Sequence, residues 1–292
     1  MRDNPQPGDA SAFALPDHSV IELRGADATR FAQAQFMSDI AALACGHWHW
    51  SGWLTPKGRV VAVFAVLRLA EERLWLLLPD VAPQPLADAL RRFVFRSKVT
   101  IAVRDDLHVQ GAFAPAQIAS ESRIEGDEDT SMALDFSAAG GARSLVIGRE
   151  AAGPDDASVA RWAAFDLAHG LPRLAASQVE QWTPQQLSLE RLHAFSIKKG
   201  CYPGQEIVAR THFLGKAKRG LAVVESTQPL AVSAQLRRTG SDVALGTVVA
   251  TATAAADRHL GLAVVPLERD ACALDIDGMA VREIALQDGL AR

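Results

Sequence analysis

The sequence lacks the features that define several classes of protein. Its three cysteines, Cys45, Cys201 and Cys272, are too far apart for a zinc finger or a C-x-x-C motif. A disulfide framework is therefore not expected, and the reducing cytoplasm is the predicted location. The longest apolar run, 60–67, is much shorter than the roughly 18 residues that a membrane-spanning helix needs. The first residues, 1–8, lack the apolar core of a secretory signal peptide.

Net charge is also low, and the rest of the composition is that of a globular protein. With a net charge of −4 and a pI of about 6.1, a chain-wide attraction to nucleic acid is not expected, although these values leave room for a local basic patch. Direct nucleic-acid binding is not predicted. Hydrophobic residues make up 49% of the sequence, which gives enough apolar surface to offset the entropy lost on folding. At roughly 150 residues per domain, a chain of 292 residues suggests two domains.

Positive charge is concentrated between residues 191 and 219. Four of the six lysines lie there, together with three arginines and a single acid, Glu206, which gives a local charge of +6. A charged segment is usually a solvated surface. This one surrounds Cys201 and two glycines, Gly200 and Gly204, so we interpret it as part of a functional site.

Hydrophobic periodicity and turn residues predict an α+β body followed by a β-rich module. Strands are predicted at 20–23, 47–53, 59–69, 73–78, 99–103 and 107–113, and helices at 28–43, 85–95, 157–168 and 183–195. Residues 115–142 are polar and are interpreted as loops around at most one strand. After Gly215, short apolar runs alternate with turn residues, as in a small all-β unit. The predicted domains are 17–215, with about 17–110 and 111–215 as optional subdomains, and 216–292.

The segment 198–206 has the composition of a loop that faces a ligand. Two glycines flank Cys201 and Tyr202, and such a loop lets the backbone approach a ligand while its side chains point outwards. The thiolate is the reactive form of cysteine, and the neighbouring lysines would stabilise it. Glu206 lies in the first turn of a predicted helix, where Arg210 can pair with it. The alternative is that Cys201 is a buried small residue and that Glu206 is an ordinary helix-start acid.

The same segment resembles the signature of the YgfZ family of folate-binding, iron–sulfur-associated proteins. The core of that signature reads K-G-C-Y-x-G-Q-E. Its seven fixed positions are all met, by Lys199, Gly200, Cys201, Tyr202, Gly204, Gln205 and Glu206. The similarity extends through 23–39, 54–59 and 170–172, and it is weakest at 115–150 and after residue 225.

The resemblance implies a fold, a cofactor, a function and a set of partners. The fold is α+β, with an aminomethyltransferase (T-protein)-like folate-binding body and a C-terminal β-barrel. The cofactor is tetrahydrofolate, with a transient iron–sulfur cluster as a further option. The function is an accessory role in the assembly or repair of iron–sulfur enzymes, including enzymes that modify tRNA. The partners are those enzymes or cluster-assembly proteins.

The resemblance also implies roles for individual residues. Cys201 is the implied reactive residue. The implied cofactor-binding residues are Trp162, Lys199, Tyr202, Gln205, Glu206 and Arg210. The anionic tail of the folate would be held by Arg210, Lys216, Lys218 or Arg219, through charge-assisted hydrogen bonds.

Two departures separate this sequence from the T-proteins themselves. Residues 59–64, after Gly58, contain no acid where T-proteins carry a catalytic aspartate, and Ala168 or His169 stands where they carry a glutamate. Aminomethyl transfer of the T-protein type is therefore not expected, and folate-dependent one-carbon transfer is the alternative function. A third hypothesis, an RNA-binding module built on 191–219, is disfavoured because few aromatic residues lie among its basic residues.

An aromatic cluster near residue 50 has two interpretations. Trp48, Trp50 and Trp53 alternate with His47 and His49, whose spacing puts both histidines on one face of a strand. The cluster would form either part of a core or pocket wall, or part of a metal site. Because a third metal ligand is not evident, we favour packing and predict no metal site.

Overall fold

Two open antiparallel sheets and one closed barrel form the framework of the described chain. The structure, a computed structural model, describes residues 11–215 and 217–292. The first strand, β1 (Phe13–Ala14), belongs to the second sheet, and the chain up to residue 103 then builds the first sheet. The helices lie between runs of antiparallel strands, which makes this part of the chain an α+β body, as the sequence predicts.

The first sheet contains β2 (Ser19–Arg24), β3 (His47–Leu54), β4 (Val60–Ala70), β5 (Arg73–Leu78) and β6 (Thr100–Val103). The strand order is β3-β4-β5-β2-β6, and the predicted β4–β5 hairpin is confirmed. Strand β4 is a nearly continuous apolar run because both of its faces are buried. One face of the sheet packs against α1 (Ala28–Gln35) and α2 (Pro83–Arg91), and the other faces a larger shared core.

Helix α1 ends at Gln35, well before the predicted end at residue 43. Phe36 has an extended backbone with a ψ of 155°, and it forms a β-bridge with Trp53. In a continued helix, the N–H of Ile40 would donate to the backbone carbonyl four residues earlier. Here it donates to the side-chain oxygen of Gln33 at 2.8 Å. Pairing with the first sheet thus overrides the helical periodicity of this segment.

Helix α2 also ends early, at Arg91, although the sequence predicts a helix over 85–95. The N–H of Phe93 donates to the carbonyl of Leu90 in a tight turn. The ring of Phe93 then packs edge-on against Trp53, with 5.7 Å between ring centroids. This aromatic contact turns the chain away from the helix axis.

The second sheet contains β1, β7 (His108–Ala112), β8 (Glu125–Gly126), β9 (Ser131–Asp135) and β10 (Ser144–Gly148), in the order β1-β7-β10-β9-β8. The prediction of at most one strand within 115–142 is wrong, because β8 and β9 both lie there. In β9 only Met132 and Leu134 are buried. The alternation of buried and exposed residues therefore includes only two apolar positions, too few to recognise as a strand in a polar stretch.

Helix α3 (Asp156–Ala168) confirms the helix predicted over 157–168. The carboxylate of Asp155 accepts a hydrogen bond from the N–H of Ser158 at 3.1 Å and caps the first turn. Gly170, with a φ of +75°, ends the helix in the left-handed region. In the part of the chain that the structure describes, no helix is both long enough and apolar enough to cross a membrane.

The helix predicted at 183–195 does not form, although its start signal does. The hydroxyl of Thr183 accepts from the N–H of Gln186, and the Gln186 side chain accepts in turn from the N–H of Thr183. Ser188 then adopts a left-handed φ of 48°, and its hydroxyl accepts from the N–H of Leu221 at 2.9 Å. Only a 3-10 turn, Leu189–Leu192, follows. A contact with the barrel therefore prevails over the local signal.

A short helix and the closed barrel complete the fold. Helix α4 (Gln205–Arg210) continues into a π-helical turn at Thr211–Gly215. The barrel strands are β11 (Arg219–Ser226), β12 (Gln235–Arg238), β13 (Ala244–Ala255), β14 (Arg258–Pro266), β15 (Leu274–Ile276) and β16 (Met279–Ile284). Their order is β11-β14-β13-β12-β15-β16, and pairing of β16 with β11 closes the barrel. The predicted C-terminal β-barrel is thus confirmed.

After the barrel, the chain returns to the first sheet. The indole N–H of Trp50 donates to the carbonyl of Leu290 at 2.8 Å. A single apolar cluster includes Phe13, Trp50 and Leu290, together with residues of both sheets, α3 and the barrel. The body and the barrel therefore share one core, and the division at 215 and 216 stays a prediction.

Candidate functional site

The predicted signature loop, 198–206, is held against the turn that joins β3 to β4. Gly204 has a φ of +78° and directly precedes α4. A Cβ atom at this position would lie 2.6 Å from Cα of Gly58 and 2.7 Å from the carbonyl oxygen of Thr55. Two sequence motifs about 150 residues apart thus meet backbone to backbone, and only glycine fits the contact.

We expect Gly204→Ala to lower the free energy of unfolding by more than about 2 kcal/mol, because a left-handed φ alone costs about 1–2 kcal/mol and a backbone clash adds to it. Urea denaturation measures this change. Gly200→Ala is the matched control, since a Cβ atom there meets nothing within 4 Å. Its expected effect is within about 0.5 kcal/mol. Equal effects of the two substitutions would contradict the packing described for Gly204.

Lys199 anchors the signature loop to the segment after α1. Its side chain is buried, and its ammonium donates to the carbonyls of Phe36 at 2.6 Å and Ser38 at 2.7 Å. Burial lowers the pKa of Lys199 to about 8, against an opposing effect of the Asp39 carboxylate. The sequence placed Lys199 among the charges around Cys201, whereas the structure directs this ammonium to two backbone carbonyls.

Tyr202 and Gln205 stabilise the loop from within. The hydroxyl of Tyr202 donates to the carbonyl of Ser196 at 3.1 Å, and burial raises its pKa to about 12, so it stays protonated. The side-chain amide of Gln205 donates to the carbonyl of Lys199 at 2.9 Å. Tyr202 is only 6% exposed, so its ring does not face solvent as a stacking surface. Both residues shape the loop, and their contact with a cofactor stays a prediction.

Cys201 and the first turn of α4 face outwards. The thiol of Cys201 is exposed, which excludes the alternative that it is a buried small residue. Glu206 and Arg210 form the expected i, i+4 ion pair at 2.6 Å, with both side chains mostly exposed. Lys216, one of the residues expected to hold an anionic tail, lies outside the described residues. The loop thus presents a free thiol beside a solvated ion pair.

A cavity of about 420 Å³ lies on the other side of the loop anchors. Ser38 and Ser196, whose carbonyls accept hydrogen bonds from Lys199 and Tyr202, are both in its wall. The other residues that supply polar or aromatic groups to the wall are Asp39, His47, Trp48, His49, Ser122, His193, Phe195 and Arg292. Small-molecule sites typically occupy about 300–1,000 Å³, so this cavity has the size of a ligand site.

His49 is the best-positioned polar group of the cavity. Its Nε2 is 2.9 Å from the hydroxyl of Ser38, which in turn donates to the hydroxyl of Ser51 at 2.6 Å. Burial, with a smaller effect of the Lys199 charge, lowers the pKa of His49 to about 4. The imidazole is therefore neutral at physiological pH, and it can exchange hydrogen bonds with a ligand without carrying charge.

Trp48 forms the apolar side of the same cavity. Its ring stacks on Phe136 at 4.9 Å, and the guanidinium of Arg292 lies 5.5 Å from its ring centroid. The indole N–H of Trp48 is buried and has no hydrogen-bond partner among the described residues. An orphaned buried donor at a cavity wall indicates a partner supplied by a ligand or by water.

Trp162, the predicted pterin-facing ring, lies in the core behind this wall. It is fully buried, and Phe136 separates it from Trp48. Its ring is covered by the guanidinium of Arg143 at 4.1 Å, which also forms a buried ion pair with Asp166 at 2.8 Å. Trp162 therefore supports the aromatic wall from behind, and direct contact with a cofactor stays a prediction.

Sequence reasoning found the loop but missed most of the cavity. The cluster that contains Trp48 and His49 is predicted to form part of a core or pocket wall, and the structure places both residues in the wall of the cavity. Asp39 lies in the stretch 23–39 that resembles the YgfZ family, but the sequence favours a helix-surface or capping role for it. Arg292 carries no signal, because only the fold brings position 292 beside β3. In the described chain, no group of three or more histidine, cysteine or acidic side chains is arranged to hold a metal ion.

The fold of the chain matches that of a known transferase. The crystal structure of glycine cleavage system aminomethyltransferase T from Bartonella henselae superposes with a TM-score of 0.72 at 14% sequence identity. The match covers 94% of this chain and 84% of that protein. At this identity the likeness shows the T-protein fold alone, as predicted from the signature.

Sequence comparisons are more specific than the structural match. No protein-family model matches the chain. The tRNA-modifying protein YgfZ of Serratia proteamaculans is 31% identical over 235 residues, covering 73% of this chain and 70% of that protein. The tRNA-modifying protein YgfZ of Aliivibrio fischeri is 26% identical over 284 residues, covering 92% of this chain and 89% of that protein. With its signature, its fold and these relatives, the chain belongs to the YgfZ family.

Proposed function

We propose that the protein is a tetrahydrofolate-binding accessory factor that supports the assembly or repair of iron–sulfur enzymes, including tRNA-modifying ones, in the cytoplasm. The observation that carries this proposal is an exposed thiol on a loop anchored directly to the wall of a ligand-sized cavity. The curated relatives named above are called tRNA-modifying proteins, which supports a role connected with tRNA.

The cavity residues fit a reduced pterin. A flat bicyclic ring would lie beside Trp48, whose ring already stacks on Phe136 and contacts Arg292, and the unpartnered indole N–H would offer a donor for a ring oxygen or nitrogen. The carboxylate of Asp39 would accept from the pterin amino group, and neutral His49 would complete the hydrogen bonding. Bound tetrahydrofolate would supply a carrier for one-carbon units. The exposed cations on the loop and α4, Lys198 and Arg210, would attract its anionic tail.

Cys201 is the proposed reactive group. An exposed thiol can exchange with a partner's disulfide or bind iron of a cluster transiently. The iron–sulfur cluster is cargo or substrate in this proposal, held in passing by a partner and by Cys201. The loop anchors at Lys199 and Tyr202 would fix the thiol relative to the folate cavity.

One-carbon transfer is the alternative function, and one observation favours it. The carboxylate of Asp39 lies in the cavity wall, where it accepts from the side-chain amide of Gln33 at 3.0 Å. By contrast, the start of β4 has no acid at all. Turnover of methylene-tetrahydrofolate by the purified protein would establish the transferase, whereas binding without turnover supports the accessory role.

Titration with tetrahydrofolate, followed by quenching of tryptophan fluorescence, tests the cavity. We expect saturable quenching by the wild-type protein. Asp39→Asn should weaken binding by about 10-fold or more, because a hydrogen bond to a charged acceptor is worth about 1.5–3 kcal/mol. Asp129→Asn, an exposed acid outside the cavity, is the control and should titrate like the wild type. Unchanged binding by Asp39→Asn would rule out this cavity as the folate site.

A further inference from the structure

Residues 91–98, here called the basic–aromatic segment, form an exposed surface that the proposed function does not use. The segment reads R-R-F-V-F-R-S-K and contains no acid. It connects α2 to β6 across the edge of the first sheet. Phe95 is 90% exposed and Phe93 is 43% exposed, although large apolar side chains are costly to leave in water. Two exposed rings among four cations point to a ligand for this surface.

Most of the positive charge on the segment is unpaired. Arg91 is the exception, because it pairs with Asp88 and donates to the carbonyl of Ile101. Among the described residues, Arg92, Arg96 and Lys98 form no ion pair. The nearby acid on a facing element is Asp27. Its carboxylate accepts from the backbone N–H of Lys98 at 2.7 Å and pairs with Arg30 at 3.0 Å.

The segment is held in place rather than projecting freely. The edge-on contact of Phe93 with Trp53 fixes one ring, and the N–H of Val94 donates to the carbonyl of Arg91 at 3.0 Å. Phe95, two residues further on, extends into solvent from this fixed base. A prearranged ring loses little conformational freedom when a ligand stacks on it.

The segment is also connected to the signature loop by direct contacts. Phe93 packs on Trp53, Trp53 forms a β-bridge with Phe36, and the carbonyl of Phe36 accepts from the ammonium of Lys199. A single residue, Gly200, separates Lys199 from the exposed Cys201. The signature loop contacts one end of the first sheet. A ligand bound along the basic–aromatic segment would therefore lie beside that end.

We propose that the basic–aromatic segment binds single-stranded RNA. Unpaired bases stack on exposed aromatic rings, and arginine and lysine neutralise the phosphates between them. Two rings separated by one residue, with arginines on both sides, match this repeat of base and phosphate. Two other ligands fit this surface less well. Duplex RNA offers no free base to stack on Phe95, and an acidic protein surface would pair with the cations but would not explain the exposed ring.

This inference does not rest on folate binding or on Cys201. RNA binding through residues 191–219 is disfavoured because few aromatic residues lie among the basic residues there. The basic–aromatic segment supplies that combination at another place in the chain. Its local charge of +4 also contrasts with the overall charge of −4, so binding would depend on a local surface and not on the charge of the whole chain.

Fluorescence anisotropy of a labelled oligouridylate with the full-length protein tests the proposal. We expect saturable binding at low salt that weakens as salt rises. Phe95→Ala should weaken it by about 5- to 100-fold through loss of stacking. Arg96→Ala should weaken it and reduce the slope of the logarithm of affinity against the logarithm of salt concentration by about 0.7, the value for one phosphate on a single strand.

Two controls match these substitutions elsewhere on the surface. Phe213→Ala removes another exposed ring, and Arg238→Ala removes another exposed cation that has no ion pair among the described residues. Both should bind oligouridylate like the wild type. The proposal is overturned if wild-type protein does not bind, or if Phe95→Ala behaves like Phe213→Ala. Equal competition by polyglutamate, or equal binding of duplex RNA, would also overturn it, by identifying a general site for anions.

Discussion

Asp166→Asn is expected to lower the free energy of unfolding by about 3–5 kcal/mol, because it removes one partner of a buried ion pair. The side chains of Arg143 and Asp166 are 0% and 1% exposed, and their oxygen and nitrogen are 2.8 Å apart. Without the carboxylate, the guanidinium would keep its charge in a site made by Trp162, Phe165 and Phe136. Urea denaturation, with circular dichroism as the signal, measures the change.

Two further variants make this prediction specific. Asp88→Asn removes the partner of Arg91 in a solvated ion pair, and its expected effect is below about 1 kcal/mol. Replacing both buried partners, as in Arg143→Met with Asp166→Leu, should recover much of the lost stability, because no charge is then left unpaired. An Asp166→Asn protein as stable as Asp88→Asn would show that the buried pair contributes little.

The parts of the fold that local chemistry determines were predictable from the sequence. Helix α3 has a capping aspartate, an apolar length and a terminal glycine, and each of these acts within a few residues. The β4–β5 hairpin is likewise determined by two apolar runs and a short charged turn. The elements that the sequence did not predict correctly depend instead on contacts between residues far apart in the chain. Ser188 breaks a well-capped helix because its hydroxyl bonds to Leu221, a partner 33 residues away.

The same distinction holds for the candidate site. The exposed position of Cys201 follows from its glycine-rich surroundings and was predicted. The role of Lys199 was not, because its partners at Phe36 and Ser38 are more than 160 residues away in sequence. A lysine beside a cysteine looks like an activating charge until the fold shows where its ammonium points. Contacts of this range need the tertiary structure, whichever motif is recognised first.

Under the proposed function, Cys201→Ala is expected to abolish support of client iron–sulfur enzymes, with no loss of stability. Because the thiol is free and exposed, the unfolding transition should match that of the wild type. The readout is the thiolated nucleoside content of tRNA in cells that lack their own YgfZ protein and express the variant. We expect that content to fall to the level of the empty vector.

Cys45 and Cys272 provide internal controls for this experiment, because both are exposed cysteines outside the signature loop. Cys45→Ala and Cys272→Ala should complement fully. That result would show that the defect of Cys201→Ala does not come from the general loss of a surface thiol. Cys201→Ser separates chemistry from shape, because a hydroxyl fills the same space but neither exchanges with disulfides nor binds iron as a thiolate does. If Cys201→Ser complements as well as the wild type, thiol chemistry is not the function of the loop. The cavity behind it would then be the part that acts.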